Sequence, residues 1–275
     1  MPRFDLHVHS TFSDGLFTPA QLAVMARQAG LAGLALTDHD TVEGVEAMQE
    51  AGAREGLRII PGVEISADFE PGTLHMVGLG VDIHHPGLCE RLAFLQRARA
   101  ERNPRIASQL RAAGLDISWE EVRAESQGGQ VGRPHFAAVL IRKGHATGID
   151  DAFERWLGKG QPGYVEKDKL SPEESVSMIR QAGGLAALAH PVQLGISGPE
   201  LEALVARLKL AGLQAIEAFH SDHGPAEEAQ YQALAARHGL LISGGSDFHG
   251  FADKPVRLGQ PSLDEAGLKA LLGAC

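Results

Sequence analysis

Two histidines near the start of the chain have the spacing of metal ligands. His7 and His9 alternate with apolar residues in the stretch 4–9, which is the period-two pattern of a strand with one buried face. Because successive side chains on a strand point to opposite faces, the two imidazoles lie side by side. Paired imidazoles suit divalent metals better than an apolar core. The stretch predicts a strand that carries part of a metal site, although a half-exposed edge strand would show the same pattern.

Further histidines and acids occur in short clusters along the chain, which has 13 histidines in all. Most clusters follow an apolar stretch typical of a strand, whereas His75 stands near the start of one. Imidazoles and carboxylates together bind divalent metals, and the acids would repel one another without cations between them. The polar residues of these clusters are His7, His9, Asp14, Asp38, His39, Asp40, Glu64, His75, His190, His220, Asp247 and His249.

Strands and helices alternate outside the middle of the chain. Helix starts are marked by Thr18-Pro19 and by the capping box Ser171-Pro172-Glu173-Glu174. The alternation predicts a parallel α/β architecture. In a βα barrel the carboxyl ends of the strands meet at one mouth, where active sites form. The position of the polar clusters therefore favours a closed, irregular barrel of seven strands, predicted at 4–9, 31–37, 57–63, 74–81, 185–189, 213–219 and 240–243.

The alternation is interrupted between residues 86 and 163, where arginine-rich helical segments follow one another. Four helices are predicted there, at 88–113, 119–126, 134–143 and 150–157, with no obvious strand between them. The expected protein is an α/β barrel with an all-helical insertion. We expect the barrel to comprise residues 1–95 and 165–275, and the insertion to comprise residues 96–164 and to contribute to the substrate site.

The composition disfavours two classes of partner. The 275 residues carry 35 acidic and 25 basic side chains, a formal net charge of −10, which argues against a stable complex with DNA. Residues 97–167 differ, with 12 Lys and Arg against 9 Asp and Glu. No run of about 18 apolar residues predicts a membrane span, and the first residues lack a signal-peptide pattern. With only Cys89 and Cys275, no disulfide framework is expected and a reducing cytoplasm is the expected location.

Six motifs together resemble the PHP (polymerase and histidinol phosphatase) family. They are Asp5-Leu6-His7-Val8-His9-Ser10 with Asp14-Gly15, Thr37-Asp38-His39-Asp40, Pro61-Gly62-Val63-Glu64, His75, Ala189-His190-Pro191 and Ser246-Asp247-Phe248-His249. The resemblance spans the chain outside the insertion. It implies a distorted (β/α)7 barrel, hydrolysis of phosphate esters, and a centre of three divalent metals, with Mn²⁺ expected first and Fe²⁺ or Zn²⁺ as alternatives.

The resemblance implies a ligand role for nine residues, and none of these positions is missing. The implied sets are His7, His9, Glu64 and Asp247 for one metal, Glu64, His75 and His190 for the second, and Asp14, His39 and His249 for the third. Asp38 and Asp40 flank His39, and we expect them to support neighbouring ligands or to cap loops.

The insertion resembles that of free-standing bacterial PHP phosphoesterases, which include 3′,5′-nucleoside bisphosphate phosphatases and 5′-to-3′ exonucleases on short RNA. The matching segments are Gly132-Arg133-Pro134-His135-Phe136 and Leu157-Gly158-Lys159-Gly160-Gln161-Pro162-Gly163-Tyr164-Val165. An arginine can bind phosphate oxygens bidentately, a lysine acts as a point charge, and a helix start favours an anion. The candidate substrate-binding residues are Arg133, His135, Lys159, His220 and His223.

These features predict a metal-dependent phosphatase. The expected reaction removes the 3′-phosphate of a nucleoside 3′,5′-bisphosphate and leaves the nucleoside 5′-monophosphate. In this hypothesis, a hydroxide held between metals attacks phosphorus in line with the ester oxygen, because metals lower the pKa of water from about 15.7 to about 7. Asp247, His190 and Arg133 are the candidate catalytic residues, and the general acid is not assigned.

Several other activities use related sites. Histidinol-phosphate phosphatase would have the same metals and a different substrate, and a 5′-to-3′ exonuclease on short RNA would share the chemistry. A non-catalytic PHP module of a DNA polymerase is disfavoured by the acidic balance of the chain. An amidohydrolase or deaminase also uses an HxH barrel, but the separate positions of Asp14, Glu64 and His75 fit it less well. The sequence makes no prediction of the oligomeric state.

Overall fold

The computed structural model of the protein describes residues 1–126, 128–251 and 256–273. Eight strands occur in these ranges. They are β1 (Arg3–Val8), β2 (Gly33–Leu36), β3 (Arg58–Ala67), β4 (Leu74–Leu79), β5 (Leu185–Leu188), β6 (Ala215–His220), β7 (Leu241–Gly245) and β8 (Leu263–Asp264). The first seven overlap the predicted strands, and the two-residue β8 is an addition to them. Strand β3 continues to Ala67, beyond its predicted end at residue 63, so Glu64 lies within the strand and not after it.

Two helices begin at the predicted capping residues. Thr18 and Ser171 each accept a hydrogen bond from the backbone three residues later. The helix predicted at 150–157 is divided into a short α-helix and a π-helical turn, Phe153–Leu157. The α-helices of the described ranges are α1 (Pro19–Gln28), α2 (Val45–Glu55), α3 (Pro86–Ala112), α4 (Trp119–Glu125), α5 (Arg133–Arg142), α6 (Ile149–Ala152), α7 (Pro172–Gln181), α8 (Gly198–Leu210), α9 (Pro225–His238) and α10 (Glu265–Leu272).

The direction of β4 departs from the expected parallel sheet. The strand order is β7-β6-β5-β4-β3-β2-β1-β8, and β4 runs antiparallel to both β3 and β5. The expectation of a wholly parallel sheet is therefore wrong at this strand. The connection from β3 to β4 is too short for a crossover helix, so the chain reverses instead. This reversal brings the start of β4, with His75, to the edge where the parallel strands end.

Backbone hydrogen bonds between β1 and the segment after β7 bring the sheet nearly to closure. The Asp247 N–H donates to the His7 carbonyl at 2.8 Å, and the His9 N–H donates to the Phe248 carbonyl at 3.0 Å. The buried Asp5 carboxylate also accepts from the backbone N–H and the hydroxyl of Ser246. The predicted distorted α/β barrel is confirmed, and its closing seam runs directly through the first histidine motif.

Helix α3 connects two apolar cores. Leu88 and Leu95, near its start, pack against the strands and helices of the barrel. Ile106 and Leu110, near its end, belong to a core built from the helices of the middle of the chain, which includes the fully buried Phe136. The division into a barrel and an insertion at residues 96–164 remains our proposal, and this second core is the observation that supports it.

No helix in the described ranges is long and apolar enough to cross a bilayer. Cys89 is exposed and carries a free thiol. Cys275, the other cysteine considered in the sequence, lies outside the described residues.

Gly245 packs against the His7 backbone at the seam between β7 and β1, and this close approach generates a prediction about stability. A methyl group on its Cα would lie 2.4 Å from the backbone nitrogen of His7, so the two segments would have to separate. We predict that Gly245→Ala lowers the free energy of unfolding by about 3 kcal/mol, as measured by chemical denaturation.

Gly267→Ala is the matched control, because its methyl group would meet other atoms only at 3.5 Å or more, within helix α10. It should stabilise the protein by about 0.5–1 kcal/mol, since alanine is the better helix former. Equal stabilities of the two variants would contradict the role of the seam.

Candidate metal centre

All nine predicted metal-binding residues meet at one rim of the barrel. Six strands end at this rim, and the antiparallel β4 starts there, so residues far apart in the chain become neighbours. Carboxylate and imidazole atoms from the different strands approach to 2.8–3.8 Å. The residues are His7, His9, Asp14, His39, Glu64, His75, His190, Asp247 and His249.

The first group joins His7 and His9 to Glu64 and Asp247. Glu64 Oε2 lies 3.2 Å from Nε2 of each histidine, and Asp247 Oδ1 lies 3.4 Å and 3.0 Å from the same two nitrogens. Four ligands at about 2.0–2.1 Å from a tetrahedral ion stand about 3.3 Å from one another. The spacing of these four atoms therefore matches the coordination of a divalent cation.

Glu64 connects this group to a second one through its other oxygen. Glu64 Oε1 lies 2.8 Å from His75 Nδ1 and 3.0 Å from His190 Nε2, and these two nitrogens are 3.2 Å apart. The Oε2 atom also lies 3.0 Å from Nδ1 of His39. One carboxylate is thus in contact with five imidazoles, which is the arrangement of a bridging ligand.

The third group lies around Asp14, in the loop after β1. Asp14 Oδ1 is 3.3 Å from His249 Nε2, and Oδ2 is 3.8 Å from His39 Nε2. His9 belongs to this group by position, since its ring stacks on that of His249 with centroids 4.0 Å apart. The structure thus places His9 between the first and third groups.

The cluster leaves buried polar atoms without hydrogen-bond partners. Burying such atoms unpaired is unfavourable, and native proteins contain few of them. Here they concentrate on the atoms that face the centre of each group. Among the described residues, these unpaired atoms include His7 Nε2, His9 Nε2, His39 Nδ1, Asp14 Oδ1, Glu64 Oε2 and Asp247 Oδ1. The donor set therefore fits divalent cations, which would satisfy these atoms.

Strained backbone marks the same rim. Asp40, His190 and Asp247 adopt positive φ angles of 53°, 24° and 55°. Residues other than glycine rarely occupy this region of backbone conformation. Such strain persists only where surrounding structure over-determines it, and it concentrates at functional sites. Two of the three residues carry predicted metal ligands, and the third is adjacent to one.

Burial and charge act in opposite directions on these groups. Burial favours the neutral form of Glu64, but the surrounding imidazoles hold its pKa well below the usual value. Burial also lowers the pKa of His9, yet the carboxylates of Asp247 and Glu64 raise it to about 10. His39 shows the opposite result, because burial lowers its pKa to about 3. Protons on some imidazoles thus balance the acids, and bound cations would replace them.

A cavity of about 690 Å³, called here the substrate cavity, opens over this rim. Its lining includes Asp14, His39 and His249 of the cluster. It also includes basic side chains that come from α3, from α5 and from the segment 158–169, namely Arg99, Arg102, Arg133, Lys159, Lys167 and Lys169. Candidate metal ligands and basic side chains, which can bind phosphate, therefore line a single space of a size typical of ligand sites.

Two of the five predicted substrate-binding residues line this cavity. The Arg133 guanidinium lies 5.2 Å from the centroid of the Phe153 ring and donates to the Leu157 carbonyl. Lys159 forms an ion pair with Glu70, from the loop between β3 and β4. Both side chains lie at the cavity wall, where Lys159 is paired with a carboxylate, and their contact with substrate remains a prediction.

The three predicted histidines have other positions. His135 is absent from the described lining, because its Nδ1 accepts a hydrogen bond from the Gly132 N–H at 2.9 Å and caps α5. His220 is buried, and its Nε2 lies 3.4 Å from Asp247 Oδ2. His223 is buried beside it, with Nδ1 2.9 Å from the Ala218 carbonyl. Direct contact of these histidines with substrate remains a prediction, and the structure instead shows each holding its own loop or neighbour.

Comparison with known proteins gives consistent matches. The model of the PHP domain family matches residues 5–157. The 5′-3′ exoribonuclease Rnm of Escherichia coli is 40% identical over 248 residues, covering 90% of this chain and 85% of that protein. The 3′,5′-nucleoside bisphosphate phosphatase of Chromobacterium violaceum is 36% identical over 250 residues, covering 90% of this chain and 88% of that protein.

A solved structure from Bifidobacterium adolescentis, provisionally described as a metal-dependent phosphoesterase, is also similar. It has a TM-score of 0.89 and 31% identity, over 98% of this chain and 95% of that one. The chain belongs to the PHP family. The predicted class of enzyme, a phosphoesterase hydrolase, is confirmed together with the family.

The two acids beside His39 bond to neighbouring loops and side chains, as expected. Asp38 accepts from the Ser10 N–H and hydroxyl, both at 2.7 Å, and so fixes the loop after β1. Asp40 pairs with Arg99 and with Lys167, whose Nζ lies 3.1 Å away. Asp40 thus ties the barrel to the cationic side of the substrate cavity.

Glu217 is a candidate functional residue that sequence reasoning missed. It lies on β6, is 2% exposed, and its Oε1 is 2.9 Å from Nδ1 of His7. Its second oxygen accepts the backbone N–H of His190. A carboxylate that holds the far nitrogen of a ligating histidine orients the ring and raises its basicity. A single acid inside an otherwise apolar strand was the available signal.

We predict that Glu217→Gln weakens metal binding about 10- to 100-fold, since neutral partners of ligating histidines are less effective. Titration calorimetry of the metal-free protein with Mn²⁺ measures the effect. Glu200→Gln is the control, because Glu200 is an exposed acid in α8. An unchanged affinity in the correctly folded Glu217 variant would show that the contact with His7 is incidental.

Proposed function

We propose that this PHP protein removes the 3′-phosphate of nucleoside 3′,5′-bisphosphates, releasing the nucleoside 5′-monophosphate and phosphate. The observation that carries the proposal is an excess of buried cations beside the cluster of histidines and acids. Support also comes from the similarity to a protein named for this activity. We place the reaction in the cytoplasm on the cysteine content of the sequence.

The nine clustered side chains would hold three divalent cations, with Mn²⁺ proposed first and Fe²⁺ or Zn²⁺ as alternatives. When bound, such cations neutralise phosphate oxygens and lower the pKa of coordinated water to about 7. The proposed sets are those of the sequence: His7, His9, Glu64 and Asp247; Glu64, His75 and His190; Asp14, His39 and His249.

The cationic side of the substrate cavity carries more positive charge than the protein itself neutralises. Arg99 and Lys167 share the single carboxylate of Asp40. Arg102 and Arg133 have no carboxylate within ion-pair distance among the described residues, and Arg102 donates instead to the Asn103 side-chain oxygen. An anionic substrate group would complete this charge balance.

The lowered pKa values of Arg102 and Lys167 show that keeping these buried groups positively charged is unfavourable. Burial, with repulsion from Arg99 and Arg133, lowers the pKa of Arg102 to about 9. Burial and the nearby Arg99 likewise lower the pKa of Lys167 to about 7, against the attraction of Asp40. Buried cations kept close together at such a cost are typical of sites that bind an anion.

A substrate with two phosphates matches the two halves of the substrate cavity. The 3′-phosphate would lie at the histidine and acid cluster, and the 5′-phosphate would lie at Arg102. Binding both groups would fix the sugar between them and orient the scissile P–O3′ bond. A monophosphate would leave one half of the cavity without a partner.

Three residues are proposed to act directly on the reacting phosphate. Arg133 would stabilise charge on its equatorial oxygens. Asp247 and His190 face the cluster from strained positions after β7 and β5. His220 would hold Asp247 in place, because its Nδ1 accepts the Asp222 N–H and leaves Nε2 to donate toward Asp247 Oδ2.

A 5′-to-3′ exonuclease on short RNA is the second candidate. Similarity to the Escherichia coli exoribonuclease at 40% identity favours it, and it would break the same P–O3′ bond. An RNA substrate carries a further nucleoside on the scissile phosphate, which needs space beyond the cluster. The substrate cavity extends past His249 to Phe251, whose ring stacks on His249 with centroids 5.7 Å apart.

Metal removal tests the proposed function. We predict that chelation lowers turnover of a nucleoside 3′,5′-bisphosphate by about 100-fold or more, because charge neutralisation is lost, and that added Mn²⁺ restores it. Release of phosphate and nucleoside 5′-monophosphate is measured, alongside 5′-phosphorylated RNA oligomers and histidinol phosphate. Full activity of the metal-free protein would contradict the proposal, and preferred turnover of RNA or histidinol phosphate would establish the corresponding alternative.

Arg102→Met tests the second phosphate position. Loss of a charge-assisted contact of about 1.5–3 kcal/mol should reduce kcat/KM for a 3′,5′-bisphosphate about 10- to 100-fold, with a much smaller effect on a nucleoside 3′-monophosphate. Arg105→Met is the matched control, since Arg105 is exposed on the same helix. Equal losses on both substrates would argue against a 5′-phosphate site at Arg102.

A further inference from the structure

A second cavity, of about 870 Å³, lies between the barrel and the helices of the middle of the chain. It is bounded by Phe12 from the loop after β1, by α3, and by Trp119 and Arg123 of α4. Arg99 lines both this cavity and the substrate cavity, whereas none of the nine proposed metal ligands lines it. Its volume suits a small organic ligand.

The charges of the second cavity balance, unlike those of the substrate cavity. Arg99 and Arg123 are its basic side chains, and Glu43 and Glu120 are its acidic ones. Arg99 is already paired with Asp40. The lining therefore offers no excess of cations for a phosphorylated ligand and suits a neutral molecule.

The remaining lining favours a flat heterocycle. Phe12 and Trp119 supply aromatic faces, and Gln96 and Gln130 supply side-chain amides. Aromatic faces stack on nucleobases of any sequence. Amides recognise the alternating donors and acceptors on the edge of a base.

Two buried polar atoms on the walls of the second cavity have no partner in the described structure. They are the Nε–H donor of Arg99 and the Oε1 acceptor of Gln130. Arg99 is 7% exposed, so loss of hydration at this donor is uncompensated. A small rotation of the Arg99 and Gln130 side chains would bring this donor and this acceptor to a ligand that offers the complementary pair, as a nucleobase edge does.

The same wall is bonded to the loop that carries a proposed metal ligand. Gln130 Nε2 donates to the His39 carbonyl, and Gln96 Nε2 donates to the carbonyl of the next residue, Asp40, at 3.3 Å. Arg99 contacts the Asp40 side chain. A ligand that moved these side chains would therefore shift His39 and the cationic side of the substrate cavity together.

We propose that the second cavity binds a nucleoside through its base, and that this binding changes the turnover number at the metal centre through Gln96, Gln130 and Arg99. The site differs from the proposed substrate site in location and in charge. Its existence can be tested by binding alone, so it stands or falls separately from the proposed reaction.

The experiment measures binding of adenosine, guanosine, cytidine and uridine, each to the full chain, by titration calorimetry and tryptophan fluorescence. At least one nucleoside should bind saturably with a change in Trp119 emission and should alter kcat at least twofold at saturating substrate. Failure of all four to bind would overturn the site. Binding with an unchanged kcat would overturn the coupling to the metal centre.

Ala100→Phe should fill the second cavity, because Ala100 lies in its lining on the exposed face of α3. We expect at least tenfold weaker binding and a turnover ratio with and without nucleoside close to one. Ala112→Phe is the matched control, at an exposed position of the same helix outside both cavities. Trp119→Leu provides a second route to weaker binding, and full-strength binding in both cavity variants would show that the nucleoside binds elsewhere.

Discussion

The fold depends on burying Glu64 at the centre of five imidazoles. A carboxylate that is 1% exposed would be costly if unpaired, and here its two oxygens serve separate groups of nitrogens. The balance holds only while the strands stay in register, since the five imidazoles come from four strands, β1, β2, β4 and β5, or from the segments that follow them. Barrel closure at the seam between β1 and β7 is therefore also the assembly of the candidate metal centre.

The helical middle of the chain adds the complementary charge. The rim of the barrel concentrates acids and imidazoles, while α3, α5 and the segment after them bring guanidinium and ammonium groups to the same cavity. Asp40 connects the two sides, because it pairs with Arg99 and Lys167 and directly follows His39. One space thus brings the candidate metal ligands together with basic side chains, which is the arrangement that the proposed substrate with two phosphates requires.

Much of this site could be predicted because its residues occur in compact motifs. Each of these motifs places polar residues at the end of a predicted strand, as in the HxH strand, the Thr37–Asp40 cluster and the Ser246–His249 cluster. Because the carboxyl ends of parallel strands meet at one mouth of a barrel, the motifs are expected to lie together. Glu217, Arg99 and Arg102 could not be assigned in this way. Each stands alone in a strand or helix whose pattern explains it as an ordinary core or surface residue. Lys167 lies in an irregular segment with no pattern at all.

The sequence by itself determined the family, the seven main strands and the identity of the nine clustered residues, because local periodicity and motif spacing are properties of neighbouring residues. Only the tertiary structure decided the direction of β4, the joint contact of His9 with two groups, and the placing of arginines from α3 against the barrel rim. These features depend on which surfaces pack across long chain separations. Strand direction and helix docking depend on burial and charge balance over the whole molecule, so they cannot be predicted from a local sequence pattern.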